Sequence, residues 1–207
     1  MAIVTISREL GAEGKRIGEA VAKALGALCV DKQVLADLAR EAGLSVELVV
    51  HAEERLSERP NLVSEEMKAL FAKSPGRGAG GQDRDVQQMM AAFRLLAQRG
   101  NMVFVGRGGQ IALRDYPHAL HVHLYAPLEV RAQRIQARRS LPTLENAMQI
   151  VQQADEQRRQ WYRQLFQGYD WKNPHHYHLL IDTHRVGVDL TVALIVQIIQ
   201  ADAVTAP

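Results

Sequence analysis

The fold of this chain is decided by one stretch near its N-terminus, Ser7-Arg8-Glu9-Leu10-Gly11-Ala12-Glu13-Gly14-Lys15-Arg16. It directly follows an apolar, β-branched run at residues 2–6, which is typical of a buried parallel strand. Beyond it, apolar residues recur at helical spacing from Ile17 to Leu25, and Gly26 supplies a stop signal. The order of strand, glycine turn and helix predicts a phosphate-binding loop, because glycines let backbone N–H groups turn inward and a helix N-terminus attracts anions.

Within this loop, Gly11, Gly14 and Lys15 have the required chemistry, since a lysine in the first helical turn reaches the outer phosphates of a triphosphate. The match to the general P-loop pattern is partial. Glu9 occupies the place of the first glycine, and Arg16 that of the Ser or Thr that holds magnesium. An ordinary helix N-terminus with a glycine turn is the alternative interpretation. The expected nucleotide contacts are Gly11, Ala12, Glu13, Gly14, Lys15 and Arg16.

Outward from the loop, strands alternate with helices, which predicts an α/β fold with a parallel sheet and right-handed crossovers. Further strands are expected at 27–30, 102–105, 119–125 and 178–181, and helices at 128–138, 143–166 and 188–200. Residues 31–99 show no strand signal and indicate an inserted helical segment, with helices near 32–42, 45–57, 62–73 and 85–99. A glycine-rich loop at 74–84 interrupts it.

The composition is that of one ordinary globular domain. The chain has 207 residues, 47% of them hydrophobic, and a formal net charge of +2. This near balance of charge argues against nucleic acid as a partner. A single cysteine, Cys29, excludes a disulfide framework. Because no signal peptide or membrane-length apolar run is visible, we expect a cytoplasmic protein with no membrane partner.

Ligands of open parallel sheets bind at the carboxyl ends of the strands. Besides the loop, the segments at these ends are Asp31, residues 106–109 and residues 182–183. Arg107 is expected to point into the cleft and hold the phosphate of an acceptor, or else to lie at the surface at a helix start. Asp31 is expected either to accept a hydrogen bond from an acceptor hydroxyl or to cap the following helix.

Basic residues recur on one face of the predicted helix at 128–138, where Arg131, Arg134 and Arg138 are spaced three and four apart. Guanidinium groups gathered on one face suit bidentate phosphate contacts, although a solvated basic face is the commoner outcome. On the next helix, Asp155 and Arg158 lie three apart and are expected either to orient the arginine toward phosphates or to form an exposed ion pair.

Other chemistry-bearing residues are interpreted as packing. His175, His176 and His178 lack a carboxylate or cysteine at ligand spacing, so no protein-bound metal is predicted. His121 and His123 are expected to be packed or partly exposed. The aromatic residues are expected to pack the core around the lid helix and the following loop: Trp161, Tyr162, Trp171 and Tyr177.

Four segments, in order over nearly the whole chain, resemble the cytidylate kinase-like family. They are the opening motif Ile6-Ser7-Arg8-Glu9-Leu10-Gly11-Ala12-Glu13-Gly14-Lys15-Arg16-Ile17-Gly18, the turn Val105-Gly106-Arg107-Gly108, the helix from Tyr125 to Ile135, and the pattern Ala154-Asp155-Glu156-Gln157-Arg158 with Trp161-Tyr162 and Asp170-Trp171. The resemblance implies one P-loop kinase domain over residues 1–207. Its core is a five-stranded parallel sheet flanked by helices (1–31, 100–130 and 175–203), with a helical acceptor-binding insert (32–99) and a lid (131–167).

The same resemblance implies transfer of the γ-phosphoryl group of ATP, with Mg2+, to a small acceptor such as CMP. It implies catalytic roles for Lys15, Arg134, Arg158 and Asp155, a nucleotide contact for Arg131, and acceptor contacts for Asp31 and Arg107. The chain departs from authentic cytidylate kinases at Gly108, where they carry Asp, and at Val151, where they carry Arg. Two alternatives therefore stay open: a kinase for a non-nucleotide metabolite, and a nucleotide sensor without turnover.

Overall fold

The computed structural model describes residues 2–30, 34, 90–91, 93–166 and 168–201. Its centre is a sheet of five strands that all pair in parallel. These strands are β1 (Ile3–Arg8), β2 (Leu28–Val30), β3 (Met102–Val105), β4 (Ala119–Tyr125) and β5 (Leu179–Asp182). The strand order is β2-β3-β1-β4-β5, so the predicted five-stranded parallel α/β sheet is confirmed.

Helices cover both faces of the sheet. They are α1 (Gly14–Leu25), α2 (Gly109–Ala112), α3 (Leu128–Arg139), α4 (Leu144–Leu165) and α5 (Val188–Gln200), with a 3-10 turn at Pro174–His176. The short α2 was not predicted from the sequence. Apart from Val34, which is helical, the predicted helices at 32–42, 45–57 and 62–73 and the loop at 74–84 lie outside the described residues. Of the predicted helix at 85–99, residues 85–89 and 92 also lie outside them, whereas residues 90, 91 and 93–98 are helical.

Two of the predicted helix boundaries have clear local causes. Gly26 ends α1 in the left-handed conformation, with φ 58°, and its N–H bonds to the carbonyls of Ala22 and Lys23. Thr143 caps α4, because its hydroxyl accepts a hydrogen bond from the backbone N–H of Asn146. Both signals were visible in the sequence, and both predictions are confirmed.

The core has one apolar layer on each face of the sheet, because successive strand residues point to opposite faces. Val4, Leu120 and Ile195 belong to the layer beneath α1 and α5, whereas Phe93, Phe104 and Leu113 belong to the opposite layer. In the described part of the chain, no helix combines the length and apolar character needed to cross a membrane.

Two histidines of β4 are buried inside the second layer, in agreement with the packed interpretation. The Nδ1 atom of His121 lies 2.7 Å from the hydroxyl of Thr5, and its ring stacks on His178 at 4.9 Å. Burial, with the nearby His178, lowers the pKa of His121 to about 4. Burial, with the cations Lys172 and Arg158, does the same for His123. Both histidines are therefore neutral in the folded protein at neutral pH.

The two buried histidines predict an acid-sensitive fold. Their folded pKa of about 4 lies below the ordinary value of 6.5, so the unfolded chain binds more protons between these values. The free energy of unfolding is expected to be insensitive to these groups above pH 6.5. It should fall from pH 6.5 toward 4 with a slope of up to about 1.4 kcal/mol per pH unit for each histidine. Urea unfolding at pH 7.5, 6, 5 and 4.5 measures this, and His121→Gln should flatten the slope. A slope that this variant leaves unchanged would contradict the assignment.

Candidate functional site

The candidate site lies where the strand order reverses. Strand β1 is central, and the chain passes from it to β2 and β3 on one side before crossing to β4 and β5 on the other. The connection after β1 therefore leads to one side of the sheet and the connection after β3 to the other, which opens a crevice at the carboxyl ends of these two strands. The loop after β1 occupies this crevice. Its Glu9 N–H still bonds to the Leu124 carbonyl of β4, at 3.0 Å.

The loop at residues 9–13 has the backbone of an anion cradle. It turns at a 3.2 Å hydrogen bond from Ala12 N to the Glu9 carbonyl, with Gly11 at φ 86° and Glu13 at φ 60°. Helix α1 then starts at Gly14, and Ile17 N bonds to the Glu13 carbonyl at 3.0 Å. Glu13 is the N-cap residue of this helix, and its side chain makes no capping hydrogen bond. The first N–H groups of α1 and its positive dipole end thus face the crevice.

The lysine of the loop is directed into solvent. The Lys15 side chain is 81% exposed and lies 3.7 Å from Glu19 Oε1, one helical turn away. Such a surface pair contributes little to stability. The ammonium group can therefore leave Glu19 for a stronger anion at the helix N-terminus. Arg16 is exposed beside it.

The first arginine of the predicted basic face is buried beneath the loop. The Arg131 side chain is 6% exposed, and its Nε donates to the Ala126 carbonyl at 2.9 Å and lies 3.1 Å from Glu9 Oε2. Its Nη1 donates to Asp155 Oδ2 at 3.1 Å and to the Leu10 carbonyl at 3.4 Å. Arg131 thus binds the loop itself from behind.

The next two arginines of α3 bind the following loop residues. Arg134 Nη1 donates to the Gly11 carbonyl at 3.1 Å and to the Thr183 hydroxyl at 3.1 Å, which joins the loop to the end of β5. Arg138 Nη2 lies 2.6 Å from Glu13 Oε1. The three arginines therefore share one face of α3, as predicted. From one helical turn to the next they bind successive residues of the loop, from Leu10 to Glu13.

The turn after β3 forms the opposite wall of the crevice. Gly106, Arg107 and Gly108 all have positive φ, at 83°, 59° and 73°. For Arg107 this left-handed backbone is unfavourable, and such strain is concentrated at functional sites. Its side chain is buried, with the residue 7% exposed. The turn thus combines a strained backbone with a buried arginine side chain.

A residue that sequence reasoning missed, Arg8, packs between the two walls. A Cβ on Gly14 would lie 2.5 Å from Arg8 Cγ, and a Cβ on Gly106 would lie 1.9 Å from Arg8 Nη1. A side chain at Gly14 would clash with the base of the Arg8 side chain, whereas one at Gly106 would displace its guanidinium and would also meet a φ of 83°. The sequence carries no local sign of this, because Gly106 is distant in the chain.

Aromatic side chains from α4 and the segment before β5 pack together beside the arginines of the site. The Trp171 residue is fully buried, and the Arg158 guanidinium lies over its ring at 5.1 Å from the centroid. Phe166 approaches Gly108, where a Cβ would lie 3.4 Å from the phenyl ring. The packing prediction for Tyr162, Trp171 and Tyr177 is confirmed, since all three are buried.

Another residue without a prediction, Lys172, completes the charges around Glu9. Its Nζ lies 2.6 Å from Glu9 Oε1 and 3.4 Å from Asp155 Oδ2. The structure thus brings Asp155 to Arg131 and Lys172, close behind the loop. The predicted acceptor residue Asp31 lies outside the described residues. The family resemblance extended to Asp170-Trp171, and the aromatic pattern included Trp171, but neither reached Lys172.

The carboxylates described beside the loop do not fit a direct magnesium site. Glu9, Glu13 and Asp155 each already face a cationic side chain. Ser7 is buried with its hydroxyl 3.3 Å from His123 Nδ1, and Arg16 stands at the usual hydroxyl position. Any magnesium that arrives with a nucleotide would have phosphate oxygens and water as its ligands, and we assign it no step.

The geometry of Gly11 yields a stability test. A Cβ there would lie 2.7 Å from the Arg131 carbonyl oxygen, which is backbone and cannot move aside. Gly168 has a similar φ of 83° and no atom within 4 Å of its Cβ position. We expect Gly168→Ala to destabilise by about 1 kcal/mol from backbone strain alone, and Gly11→Ala to destabilise by clearly more. Urea unfolding compares the two, and equal losses would contradict the close packing of the loop on α3.

Comparisons with known proteins agree with this architecture. Among solved structures, an uncharacterized protein from Eubacterium ventriosum is similar over 97% of this chain and 99% of its own, with a TM-score of 0.69 and 16% identity. Shikimate kinase from Acinetobacter baumannii, solved in complex with shikimate, is similar over 98% and 94%, with a TM-score of 0.52 and 18% identity. At such identities the likeness concerns the fold alone.

A comparison with curated proteins finds no match. The profile of the cytidylate kinase-like family, by contrast, matches residues 3–185, which spans the loop, the Arg107 turn, α3, α4 and β5. The chain therefore belongs to the cytidylate kinase-like family and is a kinase-type phosphotransferase.

Proposed function

We propose that this protein transfers the γ-phosphoryl group of ATP to a small acceptor, and that the acceptor is a nucleoside monophosphate such as CMP. One observation carries the proposal: the loop at residues 9–13 presents a helix N-terminus to the crevice and is gripped from behind by the arginines of α3. An open set of N–H donors fixed in advance is what binding of a triphosphate requires, because donors that are already oriented need no reorganisation.

In this proposal the loop backbone from Gly11 to Gly14, with Arg16 beside it, binds the phosphates, and Lys15 reaches the outer ones. Arg131 and Arg134 act by holding the loop, as their contacts to Leu10 and Gly11 support. Arg158, over the Trp171 ring, is a candidate to stabilise charge on the transferred group. As phosphorus bonds to the acceptor oxygen, the bond to the β-phosphate oxygen breaks and ADP leaves.

The acceptor is assigned to the wall formed by residues 106–108. Arg107 is buried and held by a left-handed backbone, which supports a directed contact to an acceptor phosphate. The predicted role of Asp31 as an acceptor ligand is part of the same proposal.

A second acceptor class is favoured by one observation. Val151, where authentic cytidylate kinases carry an arginine, is completely buried in α4. It offers no cation to a nucleotide acceptor. A hydroxyl-bearing metabolite without a base is therefore the second candidate, and a shikimate-type polyol belongs in any acceptor panel. Binding of ATP without turnover on any acceptor would instead favour a nucleotide sensor.

The nucleotide part of the proposal is tested at Lys15. Lys15→Ala should lower turnover roughly 100-fold, because in this proposal the ammonium moves to the outer phosphates, where charge develops in the transition state. Lys23→Ala, in the last turn of the same helix, is the matched control and should leave turnover unchanged. The assay is coupled ADP release with ATP and magnesium across nucleoside monophosphates and hydroxyl metabolites. A Lys15→Ala protein with native turnover and ATP affinity would refute the loop assignment.

The acceptor part is tested at Arg107. Arg107→Lys keeps the charge but loses the planar fork, so the KM for the acceptor should rise about tenfold while the affinity for ATP stays the same. Arg114→Lys, at an exposed arginine, is the control. Initial rates at saturating ATP give the acceptor KM, and calorimetry gives the ATP affinity. An effect confined to ATP affinity would move Arg107 to the nucleotide side.

A further inference from the structure

Four charged side chains close a ring behind the phosphate loop. Carboxylates and cations alternate in it: Glu9 Oε2 to Arg131 Nε at 3.1 Å, Arg131 Nη1 to Asp155 Oδ2 at 3.1 Å, Asp155 Oδ2 to Lys172 Nζ at 3.4 Å, and Lys172 Nζ to Glu9 Oε1 at 2.6 Å. Each member therefore touches two of opposite charge. The ring as a whole is neutral.

The ring joins four separate parts of the chain. Glu9 belongs to the loop after β1, Arg131 to α3, Asp155 to α4, and Lys172 to the segment before β5. Glu9 and Lys172 are 163 residues apart. The loop is thus fixed to both helices α3 and α4, and Lys172, whose side chain is 37% exposed, supplies the closing contact.

Charge balance makes Lys172 important to a loop that receives a polyanion. The Glu9 side chain is 8% exposed, so water compensates its charge poorly. Without Lys172 the ring would carry a net negative charge directly beside the loop N–H groups. That charge would repel phosphate, and Glu9 Oε1 would lose its shortest contact. Arg131 would then hold Glu9 and Asp155 alone.

We propose that Lys172 is a positioning residue for phosphoryl transfer, which neutralises Glu9 and Asp155 together and so holds the phosphate loop in its nucleotide-binding geometry. The inference rests on the proposed function, because it concerns the nucleotide site. Lys172 acts through Glu9 and the loop. Its removal is therefore expected to change the binding of nucleotide more than the chemical step.

The test changes the charge at position 172 and measures the affinity for ATP. Lys172→Met should weaken ATP affinity, measured by calorimetry with magnesium, roughly tenfold, which corresponds to loss of one hydrogen bond to a charged group. Lys172→Arg should restore most of it, and Lys23→Met is the matched control. The KM for ATP should rise as the affinity falls, while kcat changes less. If Lys172→Met does not fold, Lys172→Gln keeps a donor for Glu9 but loses the charge, and it is expected to bind ATP several-fold more weakly than the native protein.

A double variant separates charge compensation from a merely structural role. Glu9→Gln combined with Lys172→Met restores neutrality, so its ATP affinity should exceed that of Lys172→Met alone by several-fold. The proposal is overturned if Lys172→Met, or Lys172→Gln in its place, binds ATP as tightly as the native protein. It is also overturned if the double variant gains nothing. Failure of the native protein to bind any nucleotide would instead overturn the proposed function, and this inference with it.

Discussion

The buried guanidinium of Arg131 is the interaction on which the rest of the site depends. It joins the loop after β1 to α3 and α4, through Glu9, the Leu10 carbonyl and Asp155. A charged group this deep is tolerated only when it is paired and hydrogen-bonded, and here the guanidinium has carboxylate partners on two sides. Because Glu9 takes the place of a loop glycine, the loop carries a buried carboxylate. Arg131 makes that carboxylate part of the scaffold.

Close packing then leaves the loop one path. Gly11 lies against the Arg131 backbone, and Gly14 and Gly106 lie against the Arg8 side chain. Protein interiors are packed too tightly to absorb an extra methyl group at such contacts. The glycines of this site therefore allow close approach of the Arg131 backbone and the Arg8 side chain, in addition to the backbone angles that some of them adopt. The result is a rigid cradle between two walls, one from the loop and one from the turn at 106–108.

The charges divide into two groups with different tasks. Glu9, Arg131, Asp155 and Lys172 neutralise one another behind the loop, and His123 is held neutral among them by burial and by the nearby cations. Lys15, on the solvent side, lies near an exposed glutamate on its own helix. Because these four charges cancel, they neither attract nor repel an anion in front of the loop. Any attraction for an anion there comes from the N-terminus of α1 and from exposed cations such as Lys15.

Local patterns in the sequence determined the elements of the fold. The strand, glycine turn and helix at the N-terminus, the Gly26 and Thr143 caps, and the bounds of α5 all follow from interactions within a few residues. The helical period also placed three arginines on one face of α3. It did not say what that face would meet, and the short α2 lies in a glycine turn without an apolar period.

Only the tertiary structure decided that this arginine face grips the loop, and that Arg8 and Lys172 belong to the site. Glu9 and Lys172 are separated by 163 residues, and no local periodicity links them. They meet because parallel strands bring their carboxyl ends to one edge of the sheet, so that charges from four segments share a single buried volume. Which charges pair there depends on distance and burial, and these exist only once the chain has folded.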